Sequence, residues 1–360
     1  MKVFQWLFGF FLGVLPLNLQ GLDYLIQDLG TLATDESHAM GINNQNTVVG
    51  YTKQANEVSN FIWKQNEGLI FLPYPTYQSP LINNLNQVTD IFWHKTKTNH
   101  WFVANTETRS KHIYIYDNGT LQDIGSPEQW EIQKIENWQT ASVWDDKELG
   151  ILSFNDNQQI LIANAQQVDK ATRFAVWQNG IFKEIDSTAI SNAYEMNNQG
   201  LILARKWMKK ENINVPMLVL YNPIDGTIIE IAKDVNIINR KLNDQGRVII
   251  LQGLKNQAEW KGFLWDSEKG VQELEDFAPL ALNNCDQIIG FRISETQKLA
   301  PLMWTPSEVI SLTQFIESIS GVESIWSEII SLHGINDNGY IIGEGLFDGK
   351  NHAFVLTPQG

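Results

Sequence analysis

The 360-residue chain is 43% hydrophobic and 19% charged, with 13 Trp and 17 Phe, which gives ample apolar surface for a packed core and excludes a chain that is disordered throughout. A formal net charge of -15 excludes a general nucleic-acid binder, whose affinity rests on Lys and Arg displacing counterions, and disfavours anionic membrane surfaces. The one cysteine, Cys285, excludes an intramolecular disulfide framework, so stability has to come from packing, and its place in a turn reads as a buried or inert thiol.

From the N-terminus, Lys2 is followed by the apolar stretch Val3 to Leu17, and residues 1–21 read as a secretory signal peptide. The stretch is 15 residues long, short of the roughly 20 needed to cross a bilayer, so no membrane insertion is expected once the signal is removed. Residues 22–360 then form one domain, secreted or periplasmic, and a monomer is expected.

The next segment, Tyr24 to Gly30, reads as a lone strand, and its Ile26-Gln27-Asp28-Leu29-Gly30 nearly repeats Leu121-Gln122-Asp123-Ile124-Gly125. An Asn-rich turn between apolar runs follows repeatedly, as GINNQNTVVGY at Gly41, SFNDNQQILIA at Ser153, EMNNQGLILA at Glu195, KLNDQGRVII at Lys241, ALNNCDQIIGF at Ala281 and GINDNGYIIGE at Gly334. Asn, Asp and Gly reach positive φ cheaply, so these segments predict strand, two-residue primed hairpin loop, strand. A third strand ends 21–25 residues beyond each turn, at Trp63, Trp177, Tyr221, Trp265, Trp304 and Leu356. The strand ending at Tyr116 breaks this spacing, because Asn83-Asn84 lies too far upstream. A turn near Lys97 to Asn99, pairing Ile91-Phe92-Trp93 with Trp101-Phe102-Val103, restores the spacing and makes Asn83-Asn84 an inter-repeat loop.

Fourth strands are expected at Leu69–Leu72, Leu121–Ile124, Ile181–Ile185, Thr227–Ile231, Val271–Leu274 and Val309–Leu312. Seven third strands and six internal fourth strands leave one vacancy, which Tyr24 to Gly30 can fill. The expected fold is all-β: a seven-bladed β-propeller of four-stranded blades, closed by pairing of the N-terminal strand with the C-terminal repeat. Six blades is the alternative if the second or third repeat is misread. Radial closure protects sheet edges that a linear stack would expose.

Asp28-Leu29-Gly30-Thr31-Leu32, Gly41-Ile42-Asn43-Asn44 leading to Val48-Val49-Gly50, and His352-Ala353-Phe354 together resemble the HAF repeat of bacterial extracellular proteins. The resemblance spans most of residues 24–358 and is strongest in the first and last repeats; elsewhere the His-Ala-Phe step becomes Ser59-Asn60-Phe61, Lys111-His112-Ile113 or Lys261-Gly262-Phe263. It implies export and a propeller-like β-repeat and carries no catalytic set.

Candidate chemistry is sparse. The Asn-Asp turns offer oxygen ligands but lack the alternating ligands and bidentate Glu of a calcium loop, so they read as hairpins. Of the six histidines only His94 and His100 are close in sequence, with no HExxH and no neighbouring Cys, and neither a metal nor a cofactor is expected. No GxSxG, Walker A or Rossmann fingerprint occurs.

The segment from Pro127 to Leu149 carries Trp130, Trp138 and Trp144 where the repeat needs no extra strand, although Ala141 to Trp144 also reads as a first strand. Exposed aromatic faces stack on sugars or receive peptide side chains, and each Trp has a packing reading beside that binding one. Arg205, Lys206, Trp207, Lys209 and Lys210 form a locally basic loop on an acidic chain, able to steer an anionic partner. The candidate binding residues are thus Trp130, Trp138, Arg205, Trp207 and Lys209, on a non-enzymatic exported protein recognising a protein or glycan. The alternative is a glycan hydrolase or lyase at the central channel. It requires facing carboxylates, for which Asp145, Asp146, Glu195 and Glu273 are the candidates.

Overall fold

The computed structural model describes residues 23–359 except 32–35, 55–56, 74–78, 99–105, 128–133, 136–147, 166–171, 212, 254–259, 294–298 and 313–325. The predicted signal segment, His100, Trp101–Val103, Trp130, Trp138, Trp144, Asp145 and Asp146 lie outside the described residues.

Every described element is a strand, and the strands form seven antiparallel sheets arranged as a seven-bladed β-propeller. The blades span 36–71, 81–125, 148–184, 192–233, 237–274, 278–311 and 326–359. In the last, Asp23–Asp28 supplies the outermost strand, running antiparallel to Lys350–Gln359 with Ile26 opposite Leu356. The expected closure of head on tail is thus present. In blade 2 a short extra strand, Lys134–Ile135, pairs with Arg109 and Thr108 on the third strand.

The expected ends of the third strands all face the first residue after a turn: Val48 opposite Trp63, Val88 opposite Tyr116, Ile160 opposite Trp177, Ile202 opposite Tyr221, Val248 opposite Trp265, Ile288 opposite Trp304 and Ile341 opposite Leu356. Two expectations are corrected here. Asn83-Asn84 is the true turn of blade 2, between Leu81–Ile82 and Val88–Thr98, and Ile91, Phe92 and Trp93 pair with Ile113, His112 and Lys111. The spacing to Tyr116 is long because the second and third strands of that blade are themselves long, 11 and 12 residues. Blade 3 begins at Glu148–Phe154 instead of Ala141 to Trp144.

The turns are also not two-residue primed loops. In each, the first Asn accepts hydrogen bonds on its side-chain oxygen from residues two and four positions on, as Asn336 does from Asn338 and Tyr340. One residue per turn, and not two, has positive φ: Asn46, Asn86, Gln158, Gly200, Gly246, Asp286 and Gly339. This is a type I turn followed by one left-handed residue, which explains why Gly is used at only some of these positions.

Middle strands are buried on both faces, which accounts for their continuous apolar runs. In blade 4, Ala204, Met217 and Val219 pack against Leu161 and Phe174 of blade 3. Leu203, Leu218 and Leu220, on the opposite face, pack against Val248 and Ile250 of blade 5. Alternation of period two therefore divides one strand between two inter-blade cores.

Candidate functional site

The seven turns converge on the axis around a cavity of ≈ 250 Å³. The first Asn of every turn donates its side-chain amide to the backbone carbonyl of the same Asn in the next blade: Asn43 to Asn83, then Asn155, Asn197, Asn243, Asn283, Asn336 and back to Asn43, at 2.8–3.2 Å. The second turn residues form a parallel circuit. Each backbone N–H donates to the side-chain oxygen of the next, through Asn44, Asn84, Asp156, Asn198, Asp244, Asn284, Asp337 and again Asn44, at 2.7–2.9 Å.

Three carboxylates thus face the axis, and each accepts three hydrogen bonds. The second oxygen of Asp156 accepts from the amides of Asn84 and Asn198, that of Asp244 from Asn198 and Asn284, and that of Asp337 from Asn284 and Asn44. Glu195 also lines the cavity and accepts from the Leu242 backbone at 2.8 Å. Glu273 lies on the outermost strand of blade 5, paired with Lys261 at 2.7 Å. Of the expected acids, Glu195 and Glu273 do not meet as a catalytic pair, since Glu195 is near the axis and Glu273 at the rim; Asp145 and Asp146 lie outside the described residues. Cys285 sits at the axial mouth and is exposed, contrary to a buried thiol, with its Sγ 3.5 Å from the Asp337 carbonyl.

Away from the axis, two blades have longer second strands than the others among the described residues. The second strand is Val88–Thr98 in blade 2 and Ile202–Lys210 in blade 4, against six or seven residues in the others. At about 3.3 Å per residue the described second strands of these two blades are about 7–16 Å longer than those of the other blades. The basic segment expected as a loop is therefore strand. Lys206 holds the carbonyls of Thr188 and Ala189, and Lys210 pairs with Glu230 at 2.7 Å. Arg205, Trp207 and Lys209 alternate onto the other face of that strand. Arg205 is bound to the buried carboxylate of Asp234, which also accepts from the Tyr194 hydroxyl at 2.8 Å. Burial there pushes the Tyr194 hydroxyl up to about 12. Trp207 remains 54% exposed, and Lys209 has no ion-pair partner among the described residues. Three of the five candidate binding residues thus share one strand face.

Sequence reasoning did not foresee the cluster at the closure. Glu344 accepts from His38 of blade 1 at 2.9 Å and from His333 and Asn351 of blade 7. Burial works against the Glu344 charge, but those hydrogen bonds together hold its carboxyl well below the usual range. The bond to Glu344 raises His38, with burial opposing it.

No family model and no curated protein matches the chain. Solved structures do. Pyrococcus horikoshii acylaminoacyl peptidase superposes with a TM-score of 0.53 at 12% identity, covering 87% of this chain and 50% of that one. An acylaminoacyl peptidase in complex with Z-Gly-Gly-Phe-chloromethyl ketone gives 0.51 at 12% identity, again covering 87% of this chain and 50% of that one. TolB from Acinetobacter baumannii gives 0.44 at 11% identity, covering 90% and 64%. The chain spans half the length of the two peptidases, and at these identities the likeness is one of fold.

Proposed function

We propose that this chain is an exported binding protein that recognises an anionic protein segment or glycan through the blade 4 hairpin, with Trp207 and Lys209 as contacts and Arg205 as a positioning residue. One observation carries the reading: a large aromatic ring, 54% exposed, stands beside a lysine on the outer part of a nine-residue strand. Exposed Trp next to a cation is the kind of anchor on which binding energy concentrates. A basic face on a chain of net charge -15 favours an anionic partner by electrostatic steering. Export rests on the sequence from Lys2 to Leu17. The axial carboxylates argue against a glycan hydrolase or lyase there, because each already accepts three of the about four hydrogen bonds that a carboxylate can take and is held between two amides of the ring.

The test is a panel of immobilised acidic oligosaccharides and acidic peptides probed with wild type and with Trp207→Ala/Lys209→Glu. Any ligand that wild type binds is expected to lose at least about 10-fold in affinity, the effect of removing one anchor. A panel bound equally by both proteins would refute the assignment.

A further inference from the structure

We propose that blade 2 holds a divalent transition-metal ion, of the zinc, nickel or copper(II) class, through the Nδ1 atoms of His94 and His112 and a carboxylate oxygen of Asp123. Among the described residues these form the one trio of His, Cys, Asp or Glu whose ligand atoms all lie within 4.8 Å of one another. The Asp123 oxygen is 2.9 Å from Nδ1 of His112 and 3.6 Å from Nδ1 of His94. Ligands of a tetrahedral centre with bonds of about 2.0–2.1 Å stand about 3.3 Å apart, between those two values. Two imidazoles and a carboxylate suit ions of this class better than calcium or magnesium, which prefer oxygen alone.

The site is built on the same frame as the closing blade, with His94 in the place of Phe347 and Ser110 in the place of Lys350. His352 in blade 7 occupies the place of His112 in blade 2, four residues before Leu356 and Tyr116, the strand ends that face Ile341 and Val88. Asp28 takes the place of Asp123: His352 Nδ1 lies 3.0 Å from Asp28, and His112 Nδ1 lies 2.9 Å from Asp123. Both aspartates also accept from the backbone N–H two residues on, at Gly30 and Gly125. The aromatic partner of the histidine differs. In blade 7 it is Phe347, stacked at 5.0 Å, whereas in blade 2 it is His94, stacked at 4.5 Å with the rings 3° from parallel. A ring that only packs has become one that carries a lone pair.

The outer contacts fit as well. Nε2 of His112 lies 2.9 Å from the Ser110 hydroxyl. When Nδ1 binds a metal it gives up its proton, and Nε2–H donates to Ser110 Oγ, the second-shell bond that metal-bound histidines usually make. Ser110, His112 and Asp123 also have the connectivity of a Ser–His–Asp relay. A relay has no use for His94, which directs Nδ1 at the same carboxylate; a metal centre does. Parallel rings cannot both hold an ion in plane, so one must tilt. That movement falls to His94, whose side chain is 41% exposed, since His112 is held at both nitrogens.

The test is equilibrium dialysis of the full chain, stripped with a chelator, against Zn²⁺ alone and Ni²⁺ alone, with metal content measured per chain. Melting of every variant in chelator reports its folding. Wild type is expected to take up one ion. His94→Phe reproduces the Phe347 stack of blade 7 and should lower affinity by at least about 100-fold, the upper end for losing a mere outer-shell partner. Asp123→Asn keeps the acceptor for Gly125 while removing the charge, and should do the same. A wild type that takes up no stoichiometric metal overturns the proposal. So does binding that survives either folded variant, which would place the ion elsewhere, for instance at His38, His333 and Glu344.

Discussion

Replacing Asn336 with Ala should cost far more than its size implies. The side chain is 4% exposed and makes four hydrogen bonds. Nδ2 donates to the Asn43 carbonyl at 2.8 Å and to Asn46 Oδ1 at 2.7 Å, and Oδ1 accepts from the N–H groups of Asn338 at 3.1 Å and Tyr340 at 2.9 Å. At about 1 kcal/mol net for each bond, the upper figure is about 4 kcal/mol. Asn338 is exposed and water can replace its bond, while the Asn43 carbonyl keeps the Asn46 N–H and Asn46 Oδ1 keeps the Asn338 amide, so the lower figure of about 2 kcal/mol comes from the Tyr340 N–H left without its partner. Unfolding entropy scales with chain length, so for a domain of this size the loss corresponds to about 3–5 °C in Tm. Urea unfolding gives the free energy and calorimetry the midpoint. Asn338→Ala is the control: its amide also reaches across to blade 1, donating to the Asn44 carbonyl at 2.7 Å, but from an exposed position, so it should cost less than about 1 kcal/mol. If Asn336→Ala costs no more than that control, the axial circuit does not hold the ring together.

The closure should also show in pH dependence and in steric limits. His38 is raised, so its contribution is complete below its ordinary value of 6.5 and fades as pH climbs through the higher folded value; Glu344 is depressed, so its contribution is present above its ordinary 4.5 and is lost only as pH falls through the lower folded value. The stability gap between wild type and His38→Gln should therefore be widest between those two ordinary values and narrow above neutrality. A gap that stays constant with pH would contradict the pairing. At Gly343 a Cβ would stand 2.2 Å from the Ser331 carbonyl oxygen and 2.7 Å from the Phe354 ring. The backbone oxygen cannot swing aside, so Gly343→Ala should destabilise by about 2–3 kcal/mol in urea unfolding, and a loss under about 1 kcal/mol would show that the bulged inner strand gives way.

The blades were legible because each turn announces itself chemically and each third strand ends in a large side chain at a fixed distance. Blade 2 misled for a physical reason. A hairpin can lengthen at its free end without disturbing the blade, so a spacing rule that spans that end fails while the turn motif, Leu81-Ile82-Asn83-Asn84, stays true. Candidate residues were half legible. Trp207 and Lys209 stand out as an aromatic and a cation on an acidic chain, but that Arg205 is tied to Asp234 depends on a contact 29 positions away. The His94, His112 and Asp123 trio was hidden by the same misplaced register, which set His94 opposite His100 and left His112 as a degraded His-Ala-Phe step. Once Phe92 is paired with His112, the motif Leu121-Gln122-Asp123-Ile124-Gly125 supplies the carboxylate that its twin Ile26-Gln27-Asp28-Leu29-Gly30 supplies to His352.

The order of amide and acid around the axis follows from the number of blades. Along the circuit the second turn residues read Asn44, Asn84, Asp156, Asn198, Asp244, Asn284, Asp337, so every carboxylate sits between two amides that donate to it. Seven positions cannot alternate perfectly, and one like pair must occur. Two amides side by side are tolerable, because each has its own donor and acceptor; two carboxylates are not, because they repel and neither can donate. The like pair is indeed Asn44 with Asn84. Asn84→Asp moves the mismatch next to Asp156, whose oxygen now accepts from the Asn84 amide at 2.9 Å. Losing that charge-assisted bond and adding repulsion should cost about 2–4 kcal/mol at neutral pH. The new pair must then share a proton, which raises its folded titration above the ordinary carboxylate value, so the penalty should shrink as pH falls through that raised value. Urea unfolding of wild type and variant at neutral and acidic pH measures the gap at each. A gap that does not close on acidification would mean that the alternation of Asn and Asp is not governed by charge.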